Sequence, residues 1–444
     1  MNPHFSRVWI SILILAVLSS ASIAAVRAQQ TADCASDAVV QPGDTLSLLA
    51  ARMLGNPAAY SQIVTATNAR AAVDSSYAAI ANPSVISVGW KLCIPAADAP
   101  ISAPAPTTAQ STPTSSAPSA VLPPTPTPTA TLTEAQEDQR RVERMPELRV
   151  EIMRRQRYPG SELVIEQSLA PGVNYSRYIV SYRSDGFKIY ALLTVPNGER
   201  PTTGWPVVLF NHGYIPPEIY RTTERYVAYV DGFARNGYIV LRSDYRGHGF
   251  SEGEPGSAYS APDYTVDVLN AVASIKRYPD ADPNRIGMWG HSMGGSITLR
   301  TMVTTGDIKA GVIWAGVVAT YDDLFANWDS REAPWREQAM RWRQLAFDTY
   351  GTPTENPTFW NSISPNSYLA DLSGPIQLHH GTLDADVPLS YSEALEQQIK
   401  AVGGAVELYV YDGDNHNLSV NFATVMARSI AFFDKYVKEL PAPN

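Results

Sequence analysis

The sequence is poor in cysteine and in positive charge. Its 444 residues include two cysteines, and its 34 lysines and arginines are outnumbered by 43 aspartates and glutamates, which gives a net charge of −9 at pH 7. A protein that binds nucleic acid presents a basic face to the phosphates, so this balance argues against a nucleic-acid partner. The apolar share of 45% and the charged share of 17% are typical of folded globular proteins. The length exceeds that of one ordinary domain, which predicts two or more units.

Long apolar runs are also missing, except near the N-terminus. His4 and Arg7 precede an apolar run at residues 8–26, which Arg27 and Ala28 follow. This order is typical of an export signal and predicts a signal peptide at residues 1–28, cleaved after Ala28. Serines dilute the apolar run and favour cleavage over the alternative, an uncleaved membrane anchor. We therefore expect a protein that is secreted or associated with the cell envelope.

The two cysteines, Cys34 and Cys93, lie at the ends of one small segment at residues 34–95. An exported chain meets an oxidising compartment, where an even pair of cysteines favours a disulfide. We therefore predict a Cys34–Cys93 bridge, with two buried free thiols as the alternative. Closing a loop of about 60 residues would stabilise so small a unit by roughly 4 kcal/mol in the chain-entropy model.

The segment at residues 34–95 has the pattern of strand, helix, helix, strand. After a short apolar strand, Asp44 can cap a helix that begins at Thr45. Apolar residues at helical spacing predict a second helix at residues 58–67, and a final strand is predicted at residues 91–94.

This segment resembles a LysM domain in three places. The matching stretches are Gln41-Pro42-Gly43-Asp44-Thr45-Leu46, residues 63–68 and residues 82–95. The resemblance implies a small βααβ domain that binds polymers of N-acetylglucosamine, in peptidoglycan or in chitin. In that family the glycan lies between the loop after the first strand and the loop after the second helix. Those loops match Gly43, Asp44, Thr45, Thr67 and Asn68. A domain that serves only as a spacer is the alternative.

Two segments of different composition follow. Residues 96–133 are mostly proline, threonine, serine and alanine with almost no charge, so they cannot bury enough apolar area to fold and are predicted to be a semi-rigid linker. Residues 134–174 are dense in glutamate and arginine at their start and predict a solvated, helical lead-in segment.

Residues 175–440 alternate between strand and helix patterns. This alternation predicts an α/β fold with a mainly parallel, eight-stranded sheet covered by helices on both faces. A functional site in such a sheet belongs at the carboxyl ends of the strands. The predicted strands are residues 178–182, 188–195, 207–211, 238–243, 286–289, 310–314, 376–379 and 405–411. The predicted helices between and after them are residues 223–235, 263–277, 295–303, 389–402 and 421–437.

The stretch Gly290-His291-Ser292-Met293-Gly294-Gly295 lies between a predicted buried strand and a predicted helix. A serine at a glycine-flanked turn from strand to helix is typical of a nucleophile elbow. The glycines are needed because the turn is too tight for Cβ atoms near the serine. We therefore predict that Ser292 is a catalytic nucleophile.

A serine hydroxyl needs a base, and the base needs a third group to set its tautomer. In α/β-hydrolases the chain order is serine, acid, histidine. Asp384 follows one predicted strand and His416 follows the next, so we predict Asp384 as the acid and His416 as the base. Asp386 is the rival acid. His379 and His380 are expected to pack or to form local hydrogen bonds, His291 to line the floor of the site, and His248 to have a structural role.

The oxyanion of the tetrahedral intermediate needs two hydrogen-bond donors. One is predicted to be the backbone N–H of Met293, directly after the nucleophile. The other is predicted to be the backbone N–H of Tyr214, in the loop after the strand at residues 207–211. This chemistry needs no metal and no cofactor.

The region at residues 181–437 resembles the catalytic domain of prolyl oligopeptidase-type serine peptidases, within the α/β-hydrolases. This resemblance implies a serine peptidase that cleaves small peptides through an acyl-enzyme. Met293 and Tyr214 depart from the peptidase pattern and are more similar to esterases of the same fold, so a carboxylesterase is the alternative. A wall-binding protein with an inactive hydrolase domain is an alternative of another class. The motifs that carry the resemblance are Ser184-Asp185-Gly186-Phe187-Lys188-Ile189, Asp282-Pro283-Asn284-Arg285-Ile286-Gly287, Ser364-Pro365 and His380-Gly381-Thr382 with Asp384, Val387 and Pro388.

An aromatic-rich segment at residues 321–372 precedes the predicted acid. An insertion there would cover the site and bind apolar groups, whereas an ordinary helical excursion is an equally good interpretation.

Overall fold

A computed structural model describes residues 34–40, 46–54, 60–80, 86, 89–95, 133–327 and 336–439. The chain divides between residues 128 and 129 into two compact units. The predicted signal peptide, the linker up to residue 132 and the candidate residues Gly43, Asp44 and Thr45 lie outside the described residues.

The smaller unit has the predicted order of strand, helix, helix, strand. Its strands pair antiparallel, with Ser36 opposite Ile94. A disulfide joins Cys34 to Cys93, as the sequence predicts. Leu49, Ile63 and other apolar side chains are buried between the helices and the two strands. The elements are β1 (Ser36–Val39), α1 (Leu46–Leu54), α2 (Tyr60–Ala71) and β2 (Lys91–Ile94).

The larger unit is built on one sheet of nine strands. Their order across the sheet is β11-β10-β9-β8-β6-β7-β5-β4-β3. The strands from β11 to β7 are parallel to their neighbours, and β5, β4 and β3 continue the sheet in antiparallel fashion. The strands are β3 (Val164–Leu169), β4 (Tyr175–Ser184), β5 (Phe187–Pro196), β6 (Trp205–Asn211), β7 (Ile239–Ser243), β8 (Ala281–His291), β9 (Ala310–Trp314), β10 (Ile376–Gly381) and β11 (Val406–Tyr411).

The prediction of eight strands is wrong by one strand. The additional strand, β3, lies in the lead-in segment that the sequence assigned to helix. It is an edge strand, and nearly all of its side chains are exposed, including those of Val164 and Ile165. It therefore lacks the alternation of buried and exposed residues by which a half-buried strand is recognised in a sequence.

Helices surround the sheet. They are α3 (Glu134–Arg144), α4 (Val150–Arg155), α5 (Val227–Arg235), α6 (Asp263–Ile275), α7 (Met293–Thr304), α8 (Tyr321–Asn327), α9 (Arg336–Tyr350), α10 (Pro357–Ile363), α11 (Leu389–Ala401) and α12 (Phe422–Phe433).

Alternate residues of the central strands belong to two separate hydrophobic cores. In β6, Val207 and Leu209 belong to one core, and Val208 and Phe210 belong to the other. Successive side chains of a strand point to opposite faces of the sheet, so the two cores lie on its two faces. Helices α6, α7 and α11 contribute to the first core, and α5 and α12 contribute to the second. The sheet is thus covered on both sides, as predicted.

The lead-in segment is less solvated than the sequence predicts. Helix α3 begins with a capping box in which Thr133 and Gln136 bind each other's backbone N–H. Downstream of this cap, Val142, Met145 and Leu148 are fully buried in the core of the larger unit. Charged residues separate these apolar side chains in the sequence. The buried face of the helix is therefore hard to recognise in a segment of such high charge.

Within the part of the chain that the structure describes, no helix has both the length and the apolar character required to cross a bilayer.

Candidate active site

Ser292 is the single residue between the end of β8 and the start of α7. Its backbone has φ 54° and ψ −120°, which a residue with a side chain rarely adopts. Two backbone hydrogen bonds on either side hold this conformation, from the N–H of Ser292 to the carbonyl of Trp314 (3.1 Å) and from the N–H of Val317 to the carbonyl of Ser292 (3.0 Å). A Cβ atom on Gly294 would collide with the backbone of Asn211 in β6. The glycine is therefore required for the close approach of α7 to the sheet.

Asp384 and His416 meet at the carboxyl ends of β10 and β11. The Nδ1 atom of His416 is 2.8 Å from Oδ2 of Asp384. The backbone N–H groups of Asp386 and Val387 each donate to Oδ1 of Asp384 at 2.9 Å. The side chain of Asp384 is 1% exposed and that of His416 is 13% exposed. The carboxylate is therefore fixed, and the imidazole is accessible to a substrate.

Electrostatics keep Asp384 ionised. Burial alone would raise the pKa of its carboxyl group, but hydrogen bonds from His380 and His416 outweigh burial and hold that pKa well below its usual range. An ionised Asp384 accepts the Nδ1 proton of His416 and leaves the Nε2 lone pair of that ring available as a base.

His380 forms local hydrogen bonds, as expected, but its contact with the predicted acid was not foreseen from the sequence. Its Nε2 atom is 3.1 Å from Oδ2 of Asp384 and 3.0 Å from the carbonyl oxygen of Val387, and its Nδ1 atom is 2.8 Å from the hydroxyl of Ser392. The ring is fully buried and contacts the same carboxylate oxygen as His416. The signal available in the sequence is its position, four residues before Asp384 and next to the last residue of β10.

The rival acid, Asp386, is exposed and supports Asp384 through its backbone N–H. Asp384, Asp386 and His416 have potential metal-ligand atoms within 4.8 Å of one another. However, the Nδ1 atom of His416 in this group is hydrogen-bonded to Asp384. The arrangement therefore fits a hydrogen-bonded acid–base pair better than a set of metal ligands.

His291, which precedes Ser292 in the chain, contacts the loop that carries His416. The Nε2 atom of His291 is 3.0 Å from the carbonyl oxygen of His416, and the centroids of the two rings are 4.6 Å apart. Among the hydrogen bonds of the described residues, none joins the Ser292 hydroxyl to the ring of His416. Catalytic hydrogen bonds are often long or misaligned without substrate and tighten in the complex.

One predicted oxyanion donor, Met293, directly follows Ser292, and the other, Tyr214, is in the loop after β6. Met293 is the first residue of α7, where backbone N–H groups point out of the helix. Tyr214 follows Gly213, and a Cβ atom on Gly213 would lie 3.1 Å from Cβ of Ser292. The loop after β6 therefore passes directly beside the serine, as a donor loop must.

In the smaller unit, the structure places the predicted glycan ligands Thr67 and Asn68 near β2. The hydroxyl of Thr67 is buried and accepts a hydrogen bond from the N–H of Cys93 (3.0 Å). The side-chain oxygen and nitrogen of Asn68 bind the backbone of Ile80 at 2.7 and 2.9 Å. Both side chains brace the fold of this unit, and a glycan contact by either one stays a prediction.

We expect acid to destabilise the larger unit, because the pKa values of two of its buried histidines are lowered. Burial lowers the pKa of His291 and of His379 to about 3. Because the folded-state pKa lies below the unfolded value of about 6.5, the unfolded chain binds more protons between these two pH values, and stability falls as pH falls through this window. From pH 7 to pH 5, each histidine should lower the free energy of unfolding by about 2 kcal/mol.

The His379→Gln variant tests this expectation in urea unfolding at pH 7 and pH 5. Its free energy of unfolding should fall by about 2 kcal/mol less than that of the wild type over this interval, because one titrating group is gone. Equal losses in both proteins would contradict the expectation.

A serine on a strand-to-helix turn, beside an aspartate–histidine pair at the same edge of a mainly parallel sheet, defines a serine hydrolase with the α/β-hydrolase fold. Comparison with known proteins agrees. A family model described as serine aminopeptidase, S33, matches residues 206–368. The uncharacterized peptidase YtmA of Bacillus subtilis (strain 168) is 24% identical over 56% of this chain and 88% of its own length. The uncharacterized peptidase YuxL of the same organism is 29% identical over 53% of this chain, which spans 34% of YuxL.

A solved structure supports the fold. Acetyl xylan esterase 1 from Thermoanaerobacterium sp. JW/SL YS485 is similar to this chain with a TM-score of 0.50 and 16% identity, over 68% of this chain and 93% of the esterase. The chain is therefore a serine hydrolase of the peptidase or esterase type, and its larger unit has the α/β-hydrolase fold. These relationships favour an enzyme over the alternative of a non-catalytic wall-binding protein.

Proposed function

We propose that the chain is a secreted, cell-wall-associated serine hydrolase that cleaves small peptides through an acyl-enzyme on Ser292, most like a prolyl oligopeptidase-type peptidase. The observation that carries the proposal is the 2.8 Å hydrogen bond between Asp384 and His416, at the sheet edge where the Ser292 turn lies. The disulfide between Cys34 and Cys93 fits an oxidising compartment outside the cytoplasm.

In the proposed reaction, the Nε2 atom of His416 removes the hydroxyl proton of Ser292 as the serine oxygen attacks the carbonyl carbon of the substrate. The N–H groups of Tyr214 and Met293 stabilise the oxyanion that forms. His416 then gives its proton to the leaving amine or alcohol, and an ester of Ser292 remains. His416 then removes a proton from water, which attacks this ester, and returns that proton to the Ser292 oxygen as the acid product leaves. Asp384 stabilises the imidazolium form of His416 in both steps.

Peptide and ester substrates use the same steps, so the choice between them rests on other observations. The match to a serine aminopeptidase model and the similarity to two proteins named as peptidases favour peptides. Met293 and Tyr214 favour the second candidate, a carboxylesterase, and the fold similarity to an acetyl xylan esterase is compatible with it.

A direct comparison of rates separates the two candidates. The full chain is assayed on aminoacyl and peptidyl p-nitroanilides and on p-nitrophenyl acetate, with the Ser292→Ala variant as the blank. A peptidase hydrolyses at least one anilide with a kcat/KM that the blank lacks. If the ester is hydrolysed and none of the anilides is, the proposed activity is that of a carboxylesterase and not of a peptidase. Failure of a fluorophosphonate probe to label the wild type would contradict both.

Attachment to the cell wall is the second part of the proposal. The resemblance to a LysM domain and the βααβ order of the smaller unit support it. The full chain is incubated with insoluble peptidoglycan, chitin and cellulose, and the bound fraction is measured after sedimentation. We expect binding to peptidoglycan or chitin that soluble N-acetylglucosamine oligomers compete away, and no binding to cellulose. Equal recovery with all three polymers, or no recovery, would show that the smaller unit is a spacer.

A further inference from the structure

Two side chains, the half-buried Tyr226 and the buried His291, lie between the loop that carries Tyr214 and the loop that carries His416. The hydroxyl oxygen of Tyr226 is 3.0 Å from the backbone nitrogen of Gly213 and 2.7 Å from Nδ1 of His291. The Nε2 atom of His291 is 3.0 Å from the carbonyl oxygen of His416. A continuous chain of hydrogen bonds thus joins the two loops on either side of the proposed nucleophile.

The chemistry of the end groups fixes the direction of every bond in this chain. A carbonyl oxygen only accepts, so Nε2 of His291 carries the proton and donates it to the carbonyl of His416. The Nδ1 atom of the same neutral ring must then accept, and the hydroxyl of Tyr226 donates to it. The hydroxyl oxygen in turn accepts the N–H of Gly213. Burial lowers the pKa of His291 to about 3, so the ring stays neutral over the range in which such enzymes work.

Packing leaves the Tyr226 ring little freedom. The ring makes edge contacts with Phe210 and Trp289, at centroid distances of 5.5 and 6.1 Å. Its backbone is left-handed, with φ 51°, and the guanidinium group of Arg242 binds the carbonyl of the preceding residue, Arg225, at 2.7 Å. The hydroxyl is therefore held in place from both the ring and the main chain.

The contact with the loop after β6 is equally close. A Cβ atom on Gly213 would lie 2.8 Å from the hydroxyl oxygen of Tyr226 and 3.3 Å from Nδ1 of His291. A residue larger than glycine would separate this loop from the tyrosine. The next backbone N–H in the loop is that of Tyr214, the proposed oxyanion donor.

We propose that Tyr226 and His291 are positioning residues that hold the oxyanion loop and the His416 loop in register on either side of Ser292. They act through the backbone of Gly213 and the carbonyl of His416, and they exchange no proton with the substrate. This inference rests on the proposed roles of Ser292, His416 and Tyr214.

The Tyr226→Phe variant of the full chain, assayed on p-nitrophenyl acetate, tests the proposal. It keeps the ring and removes the hydroxyl, so the oxyanion loop and His291 lose their common partner. We expect kcat to fall about 10- to 100-fold, the range in which a misplacement of about 1 Å acts, with little change in KM. The acid limb of the pH profile of kcat/KM should keep its midpoint, because the proton-transfer groups are unchanged.

Tyr238→Phe is the matched control. It removes the hydroxyl of another tyrosine ring, one that is fully buried beside the start of β7, and that hydroxyl is 2.8 Å from Oδ1 of Asp434 at the end of α12. This variant should lose stability without a change in kcat.

A second pair of variants keeps the proposal testable if Tyr226→Phe does not fold. His291→Gln retains a donor and an acceptor on one side chain, whereas His291→Leu retains neither. We expect His291→Gln to recover a large part of the kcat that His291→Leu loses.

Three results would overturn the inference. The first is a Tyr226→Phe kcat within about twofold of the wild type while Ser292→Ala is inactive, a result that leaves the proposed function intact. The second is a shift of the acid limb in the pH profile of kcat/KM for Tyr226→Phe, which would show that Tyr226 takes part in proton transfer and does not only position the loops. The third is equal activity of His291→Gln and His291→Leu. Full activity of Ser292→Ala would overturn the inference together with the proposed function.

Discussion

The Ser292→Ala variant is expected to lose about 10⁴- to 10⁶-fold in kcat on whichever substrate the wild type hydrolyses. Without the hydroxyl no acyl-enzyme forms, and only the oxyanion donors and substrate binding still act on the reaction. The measurement is steady-state kinetics on a p-nitrophenyl ester, with fluorophosphonate labelling of intact protein read by mass spectrometry. The Ser296→Ala variant, which makes the same change one turn further along α7, is the matched control and should keep both the activity and the label.

The other members of the proposed triad should behave as parts of one unit. His416→Ala should cost nearly as much as Ser292→Ala, and the double variant should lose little more than either single variant. Asp384→Asn should lower kcat by about 10⁴-fold, because the wrong tautomer of His416 is then favoured. Additive losses in the double variant would contradict the assignment of one catalytic unit.

Replacing both cysteines by serine is expected to remove about 4 kcal/mol of stability from the smaller unit, because the bridge closes a loop of about 60 residues. The two cysteines are 59 positions apart in the sequence, and the core beside them is small. Units of this size rarely have more than about 3–5 kcal/mol to lose, so the double variant should be largely unfolded at 37 °C.

Thermolysin cleavage, followed by mass spectrometry, measures this effect. Cleavage within residues 34–95 should become rapid in the Cys34→Ser/Cys93→Ser variant and in the reduced wild type, while hydrolysis of the p-nitrophenyl ester is unchanged. A reducing agent should have no further effect on the double variant, which is the control for unspecific reduction. Unchanged protection of the smaller unit after reduction would show that its core suffices without the bridge.

Local patterns in the sequence predicted the parts of the site that depend on neighbours in the chain. The glycines around Ser292, the strand that precedes Asp384 and the loop that carries His416 are each visible within about ten residues. The predicted strand at residues 310–314 matches β9 at both ends, because a short apolar run between Lys309 and the turn signal Gly316 is typical of a buried parallel strand.

Contacts between distant residues were not predictable in this way. The start of α5 shows the reason. The sequence predicts a helix from residue 223, but α5 begins at Val227. The guanidinium group of Arg242, in β7, binds the backbone carbonyls of Thr222, Glu224 and Arg225, which a helix would use for itself. The left-handed Tyr226 that results has no signature in the sequence.

The buried face of α3 was missed for a similar reason. Arg144, in a segment that looks solvated, forms an ion pair with the buried Asp263, which lies 119 residues further along the chain. The sequence predicts packing or local hydrogen bonds for His380, but its contact with Asp384 depends on how the loop after β10 turns back. In each case the decisive partner comes from a turn or an element that the local pattern does not specify.

The left-handed backbone at residue 292 implies that heat resistance and catalytic activity make opposite demands on this position. Strain of this kind costs on the order of 1–3 kcal/mol for a residue with a side chain, whereas glycine adopts the same conformation freely. A Ser292→Gly protein should therefore melt at a higher temperature than the active enzyme while being inert. Natural selection for hydrolysis would then have kept the less heat-resistant of the two molecules.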